Sequence, residues 1–357
     1  MKSIIVFLAA LTFIMNLTFG EEANKKNEHY AAVVKKIYDA ATKDSSAWER
    51  MAYMCDTFGP RLTGSENLVK ALDWIEAEMK ADGLASVKRE PVMAPYWVRG
   101  NESCELIEPR RASMNVLAIG GSIATPKEGI TAPVMVVESY EELEARADEA
   151  RGKIVLFNAP YKGYGHNVQF RFSGAFEAAR HGAVASLIRS VSPIGMQKVH
   201  TGMMGAYPDT LPKIPHAAIT LEDADMLHRM YQRGQQPVVK LYLEAQTLGE
   251  VLTYNLMGEY TGTTNKQEII AVGGHIDSWD VGSGAHDDAG GCVAAWMAVK
   301  LLKDLGIKTK RTLRVVMWAN EENGARGGKA YAEAHKDEPH HLMLEFDSGV
   351  FPPSRIG

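Results

Sequence analysis

From Val251 onward the chain alternates apolar strands with helix-length segments, and that alternation restricts it to an α/β domain with a mostly parallel sheet. The order is strand Thr253 to Glu259, strand Ile269 to Gly273, helix Gly291 to Leu305, strand Leu313 to Trp318, helix Gly328 to His335 and strand Leu342 to Phe346. Three of these strands are each followed by metal-type side chains. His275 and then Asp287-Asp288 follow the first, Glu321-Glu322 the second and Asp347 the third. In an open α/β sheet the carboxyl ends of the strands are where a site forms.

Singly, these residues are commonplace. A His after a strand is often structural, Asp-Asp before a helix is an ordinary N-terminal cap, and Glu-Glu is usually a solvated pair. Gathered at three successive strand ends, imidazole and carboxylates suit zinc better than magnesium or calcium. Two ions about 3.5–4 Å apart can share a carboxylate and together polarise a carbonyl and activate water. Asp287 is well placed to bridge, since it follows the His275 loop and precedes the helix opened by Gly290-Gly291. Glu321 and Glu322 diverge, so one can bind metal while the other faces the water. Asp277, two residues after His275, is a candidate to orient the imidazole. The expectation is a two-metal hydrolase.

The rest of the chain sets bounds. Its 357 residues suit two domains or one domain with an insertion, and a net charge of -5 without a basic-aromatic cluster excludes nucleic acid as a partner. Lys2 followed by an apolar run from Ile4 predicts a signal peptide over 1–20, too short for a membrane span. No later stretch is expected to cross a bilayer, so the mature protein is read as exported, with a glycosylation sequon at Asn101. Three cysteines leave at least one free thiol, and Cys292 reads as a buried small hydrophobe. Ser46 with Glu49 predicts a capping box, on a helix that stops before Gly59-Pro60. Leu68, Leu72, Ile75 and Met79 predict a second helix, stopped by Gly83. Residues 115–245 read as a β-rich insert, leaving 21–114 and 246–357 as a discontinuous main domain.

Phe58-Gly-Pro-Arg-Leu-Thr-Gly-Ser65, Gly273-Gly-His-Ile-Asp-Ser-Trp-Asp-Val-Gly282, Asp287-Asp288 and Trp318-Ala-Asn-Glu-Glu322 together resemble the co-catalytic zinc aminopeptidases and glutamate carboxypeptidases. The resemblance covers nearly all of the mature chain. It implies a phosphorylase/hydrolase-like zinc exopeptidase domain interrupted by a protease-associated domain, a lid or partner surface without chemistry of its own. His275 and Asp347 would hold one zinc, Glu322 the other, Asp287 would bridge them, and Glu321 would be the general base. A cis peptide between Asp287 and Asp288 is implied too. So are a secreted or lysosomal homodimer and small peptides or dipeptides as substrates. The family's last zinc ligand is a His near its C-terminus. The chain is therefore expected to be truncated there, keeping Asp287 and Glu322 at the second ion. His335, His340 and His341 are poor substitutes. The alternative is a silent binding or decoy protein derived from such an enzyme.

Overall fold

The computed structural model describes residues 28–347 and Gly349. The signal-peptide segment 1–20 and the end of the chain at 354–357 lie outside the described residues. Helix α1 covers 28–41 and α2 covers Ser46–Tyr53, running into a wider turn that ends before Gly59. The Ser46–Glu49 capping box does not form. The Asp44 carboxylate accepts the Ser46 N–H at 2.9 Å, placing Ser46 inside the first turn. Helix α3, Glu66–Ala81, is capped by Ser65, whose hydroxyl accepts the Leu68 N–H at 3.2 Å. Its buried face is Leu68, Leu72, Ile75 and Met79, and Gly83 follows at φ +71.

Strand β1 (Ala85–Val98) leads into the insert. There β2 (Glu102–Glu108), β3 (Ala112–Met114), β4 (Val116–Ala118), β5 (Ile130–Val137), α4 (Tyr140–Ala145), β6 (Ile154–Phe157), α5 (Tyr164–Arg180), β7 (Ala185–Arg189), β8 (His216–Ile219), α6 (Leu221–Gln232) and β9 (Val238–Leu243) follow in turn. Its sheet runs β3-β2-β9-β5-β6-β7-β8-β4, with β5 to β8 parallel. Strand alternation divides the apolar side chains between two faces. Val134, Val136, Ile154 and Leu156 pack toward Ala224 and Leu227 of α6, while Met135, Val155 and Phe157 pack toward Phe170 and Ala175 of α5. The insert is thus an α/β layer with a helix on each face, more than the β-rich module expected. Its sheet takes in β2 and β3, so it begins at Glu102 rather than at 115. Helix α5 also starts ten residues before the Gly174 expected of it, because Val168, Phe170 and Phe172 alternate in its first turns instead of recurring at helical spacing.

The main sheet is completed by β10 (Gln246–Tyr260), β11 (Asn265–His275), β12 (Arg311–Trp318) and β13 (His340–Glu345), with α7 (Gly290–Asp304) and α8 (Arg326–Ala334) between them. Its order is β1-β10-β12-β11-β13. Parallel pairing is confined to β12-β11-β13, while β1 and β10 form a long antiparallel ribbon. On β12, Leu313, Val315 and Met317 face α3 and α7, and Val316 and Trp318 face Tyr331 of α8. Both faces are therefore covered, as the near-continuous apolar run requires. Strand β13 is at the sheet edge and leaves Leu342 and Met343 about half exposed. Among the described residues no helix is long and apolar enough to cross a membrane, and all three cysteines are free.

Trp296 of α7 is the largest fully buried side chain among the described residues; it packs against Trp74 of α3, its indole N–H is donated to Asp82 at 3.0 Å, and the Arg50 guanidinium lies over its ring at 4.1 Å. Trp296→Ala should cost about 3–5 kcal/mol of unfolding free energy, read as a lower urea midpoint.

Candidate active site

The three parallel strands end side by side. His275 pairs with Trp318 across β11 and β12, and Gly273 pairs with Glu345 across β11 and β13. The segments leaving the three strand ends therefore meet at one rim. His275 is fully buried. Its Nδ1 lies 3.0 Å from the carbonyl oxygen of Asp277, which fixes that nitrogen as the N–H donor. Nε2 is left facing the carboxylates, 2.9 Å from Asp287 and 3.5 Å from Asp347, without a well-aligned hydrogen bond. A buried imidazole nitrogen turned toward two carboxylates is a cation site in outline.

Asp277 also orients the imidazole, but through its backbone; its carboxylate is spent elsewhere. One oxygen accepts the Glu321 N–H at 3.0 Å, and the other accepts Glu322 N–H at 3.4 Å and the Thr63 hydroxyl at 3.5 Å. One buried residue thereby sets both the histidine after β11 and the Glu-Glu turn after β12. Asn320, at φ +62, opens that turn and donates to Thr63 at 3.2 Å.

The Asp287–Asp288 peptide is cis, as the resemblance implied. It sends the two side chains different ways. Asp287 stays partly exposed at the rim, while Asp288 is buried and accepts the N–H groups of His275 at 3.1 Å and Gly291 at 2.9 Å. His275, Asp288 and Asp347 have ligand atoms within 4.8 Å of one another. Asp288 is nonetheless the weaker candidate, because both its oxygens already hold backbone donors. The close approach needs glycine: a Cβ on Gly274 would lie 2.3 Å from the Asp288 carboxylate.

The electrostatics follow from a cluster of carboxylates around one imidazole. Burial would lower the His275 pKa, but the close carboxylates of Asp287 and Asp347 and the charges of Asp277 and Asp288 overcome it, pushing the pKa up to about 12. Burial, then the charges of Asp287 and Asp277, raise Glu322 to about 9. Burial raises Asp288 to about 8, and it raises Glu321 above the usual carboxylate range. Asp287 goes down, chiefly through its contact with His275. Glu322 keeps one buried oxygen without a partner.

Sequence reasoning missed Arg61. It is fully buried and donates to the carbonyls of Gly59 at 2.8 Å, Ile276 at 3.1 Å, Ser283 at 2.9 Å and Gly284 at 3.0 Å. It therefore staples the loop between His275 and Asp287, and no sequence signal marks which carbonyls converge on it. His335, His340 and His341 are far from this rim. His340 pairs with Ile269, six residues before His275, or about 20 Å along a strand.

Residues 255–355 match the model of peptidase family M28. Carboxypeptidase Q of Bos taurus is 45% identical over 94% of this chain and 72% of its own length, and that of Rattus norvegicus is 47% identical over the same shares. The chain belongs to the carboxypeptidase Q family. It is a peptidase of family M28. A peptidase M28 precursor from Shewanella amazonensis superposes with a TM-score of 0.86 at 37% identity, covering 90% of this chain and 74% of that one. A zinc aminopeptidase from Bacillus subtilis, at 23% identity and TM-score 0.60 over 80% of this chain and 64% of its own, shares the fold.

The raised pKa values carry a stability consequence. A group whose folded pKa exceeds its unfolded value binds protons more tightly in the folded state, so its contribution is lost as pH rises. For Glu322 that window runs from 4.5 to about 9, and for His275 from 6.5 to about 12. The metal-free protein should therefore lose thermal stability steadily from pH 5 to pH 9. Saturating zinc should remove most of that slope, as scanning calorimetry with and without a chelator will show.

Proposed function

We propose that this chain is a zinc-dependent exopeptidase of the dipeptidase or carboxypeptidase type, acting on small unblocked peptides. The observation that carries the reading is the convergence of His275, Asp287 and Asp347, with a buried Nε2 left without a hydrogen bond, beside the Glu321-Glu322 turn. The donor set fits zinc: one imidazole whose Nδ1 is held by the Asp277 carbonyl, leaving Nε2 as the ligand atom, and carboxylates whose summed negative field favours a bound cation.

In this reading His275 and Asp347 would hold one ion, Glu322 would hold the other, and Asp287 would be shared between them. Zinc bound there supplies Lewis acidity toward the scissile carbonyl and the attacking water. Glu321 takes the water's proton and later passes it to the leaving amine. Burial raises its carboxyl toward the working range of a general base. Asp277 acts by position, through its grip on both glutamate N–H groups.

Export through residues 1–20, glycan attachment at the exposed Asn101 and assembly as a homodimer belong to the same proposal.

Glu321→Gln should lower kcat toward free dipeptides by about 10²–10⁴-fold while leaving zinc per chain unchanged by elemental analysis. In the parent protein the acidic limb of kcat/KM should lie above the ordinary carboxylate value of 4.5, since Glu321 must be ionised. Full turnover in Glu321→Gln would remove the base assignment. A purified protein that binds no zinc and cleaves no dipeptide would sink the function itself.

A further inference from the structure

Strand β10 is antiparallel and is not among the three strands whose ends form the rim, yet it carries Asn255, a polar side chain with no exposure to solvent. Both ends of that amide are spent on one distant loop. Its Oδ1 accepts the Ala319 N–H at 2.9 Å, and its Nδ2 donates to the Gly327 carbonyl at 2.9 Å. One partner is a donor and the other an acceptor, which fixes the orientation of the amide. Register explains the reach: Leu256 pairs with Met317, so Asn255 stands level with the end of β12, where the loop leaves.

The loop from Ala319 to Gly327 carries Glu321 and Glu322, and its neck is closed by the Gly327 N–H on the Ala319 carbonyl at 2.8 Å. Asn255 ties both sides of that neck. Gly327 has to be glycine there, since a Cβ would lie 2.3 Å from the Ala319 oxygen and 2.4 Å from the Asn255 Oδ1. Within the loop Asn320, at φ +62, and Ala325, at φ +51, are left-handed although neither is glycine. Such conformations persist only where the surroundings over-determine them, and they concentrate at functional sites. The Glu-Glu turn thus has two grips: Asp277 takes its N–H groups from the side of β11, and Asn255 holds its base from the side of β10.

Resting on the exopeptidase reading above, we infer that Asn255 is a positioning residue for the reaction: by clamping the neck of this loop it sets where the Glu321 and Glu322 carboxylates stand at the rim.

The test compares the parent with Asn255→Ala, Gly327→Ala and Trp296→Ala, the last loosening the core away from the loop. In zinc-loaded Asn255→Ala, kcat for alanyl-leucine should fall about 10- to 100-fold with KM within about threefold of the parent, the scale on which groups behind a metal ligand act. Calorimetric titration of the metal-free protein should show zinc binding weakened by a similar factor. Gly327→Ala, which pushes the neck open from its other side, should do the same, and it stands in if Asn255→Ala is unfolded by circular dichroism. Trp296→Ala should lower the unfolding midpoint but leave kcat and zinc affinity within about twofold of the parent. A loss confined to kcat upholds the inference through Glu321, and one confined to zinc affinity upholds it through Glu322. Both quantities within about twofold of the parent in folded Asn255→Ala overturn it, as does a loss carried by KM alone or an equal loss in Trp296→Ala. If the parent neither binds zinc nor cleaves the peptide, the exopeptidase reading falls, and amide hydrogen exchange decides the clamp. Exchange across residues 319–327 that is at least about tenfold faster in Asn255→Ala upholds it, and slower acceleration or none overturns it.

Discussion

The site depends on the way Asp277 divides its bonds. Its carbonyl takes the Nδ1–H of His275, and its carboxylate takes the N–H groups of Glu321 and Glu322. The end of β11 and the end of β12 are thereby fixed to each other through a single residue with no exposure to solvent. Parallel strands bring the two ends to one level, but they do not orient side chains. A buried carboxylate facing backbone donors does that, and its own burial pushes its pKa up, a cost offset by those donors and by His275. Arg61 does the matching work on the far side of the loop with four carbonyls, so the segment from Ile276 to Gly284 is held by its backbone at both flanks.

Much of this was legible in the sequence after Val251. Runs such as Leu313 to Trp318 are apolar on both faces because two helix layers cover them, and such runs announce buried parallel strands. Ligand-type residues just beyond them were legible for the same reason. Other parts were not. The ribbon of β1 and β10 joins segments separated by the whole insert, and β1 carries Pro91 and Pro95 within a half-exposed strand, so neither its length nor its partner shows in its pattern. Ser46 looked like a cap, but Asp44 two residues earlier took the exposed N–H. Asp288 looked like a neighbour of a ligand, and its work of holding two backbone N–H groups appears only when β11 and α7 are brought together.

The insert has its own core and helix layers, but its edge toward the loop is shared. Trp279 and Leu62 pack into the same apolar cluster as Val134, Leu156 and Leu227 of the insert. The boundary between the two sheets is therefore a continuous interior, which fits a discontinuous domain better than two bodies on a tether.

At Gly120 the contact is tightest. A Cβ at that position would lie 2.0 Å from the indole of Trp279, and its own backbone is bonded to Gly202 and Met204 in the segment between β7 and β8. The two halves are thus cut to each other like a key and its lock. The insert is not an exchangeable cassette: transplanted between relatives without its matching tryptophan loop, it would bring the wrong shape to the rim beside His275. A larger residue at Gly120 therefore calls for a smaller one in place of Trp279.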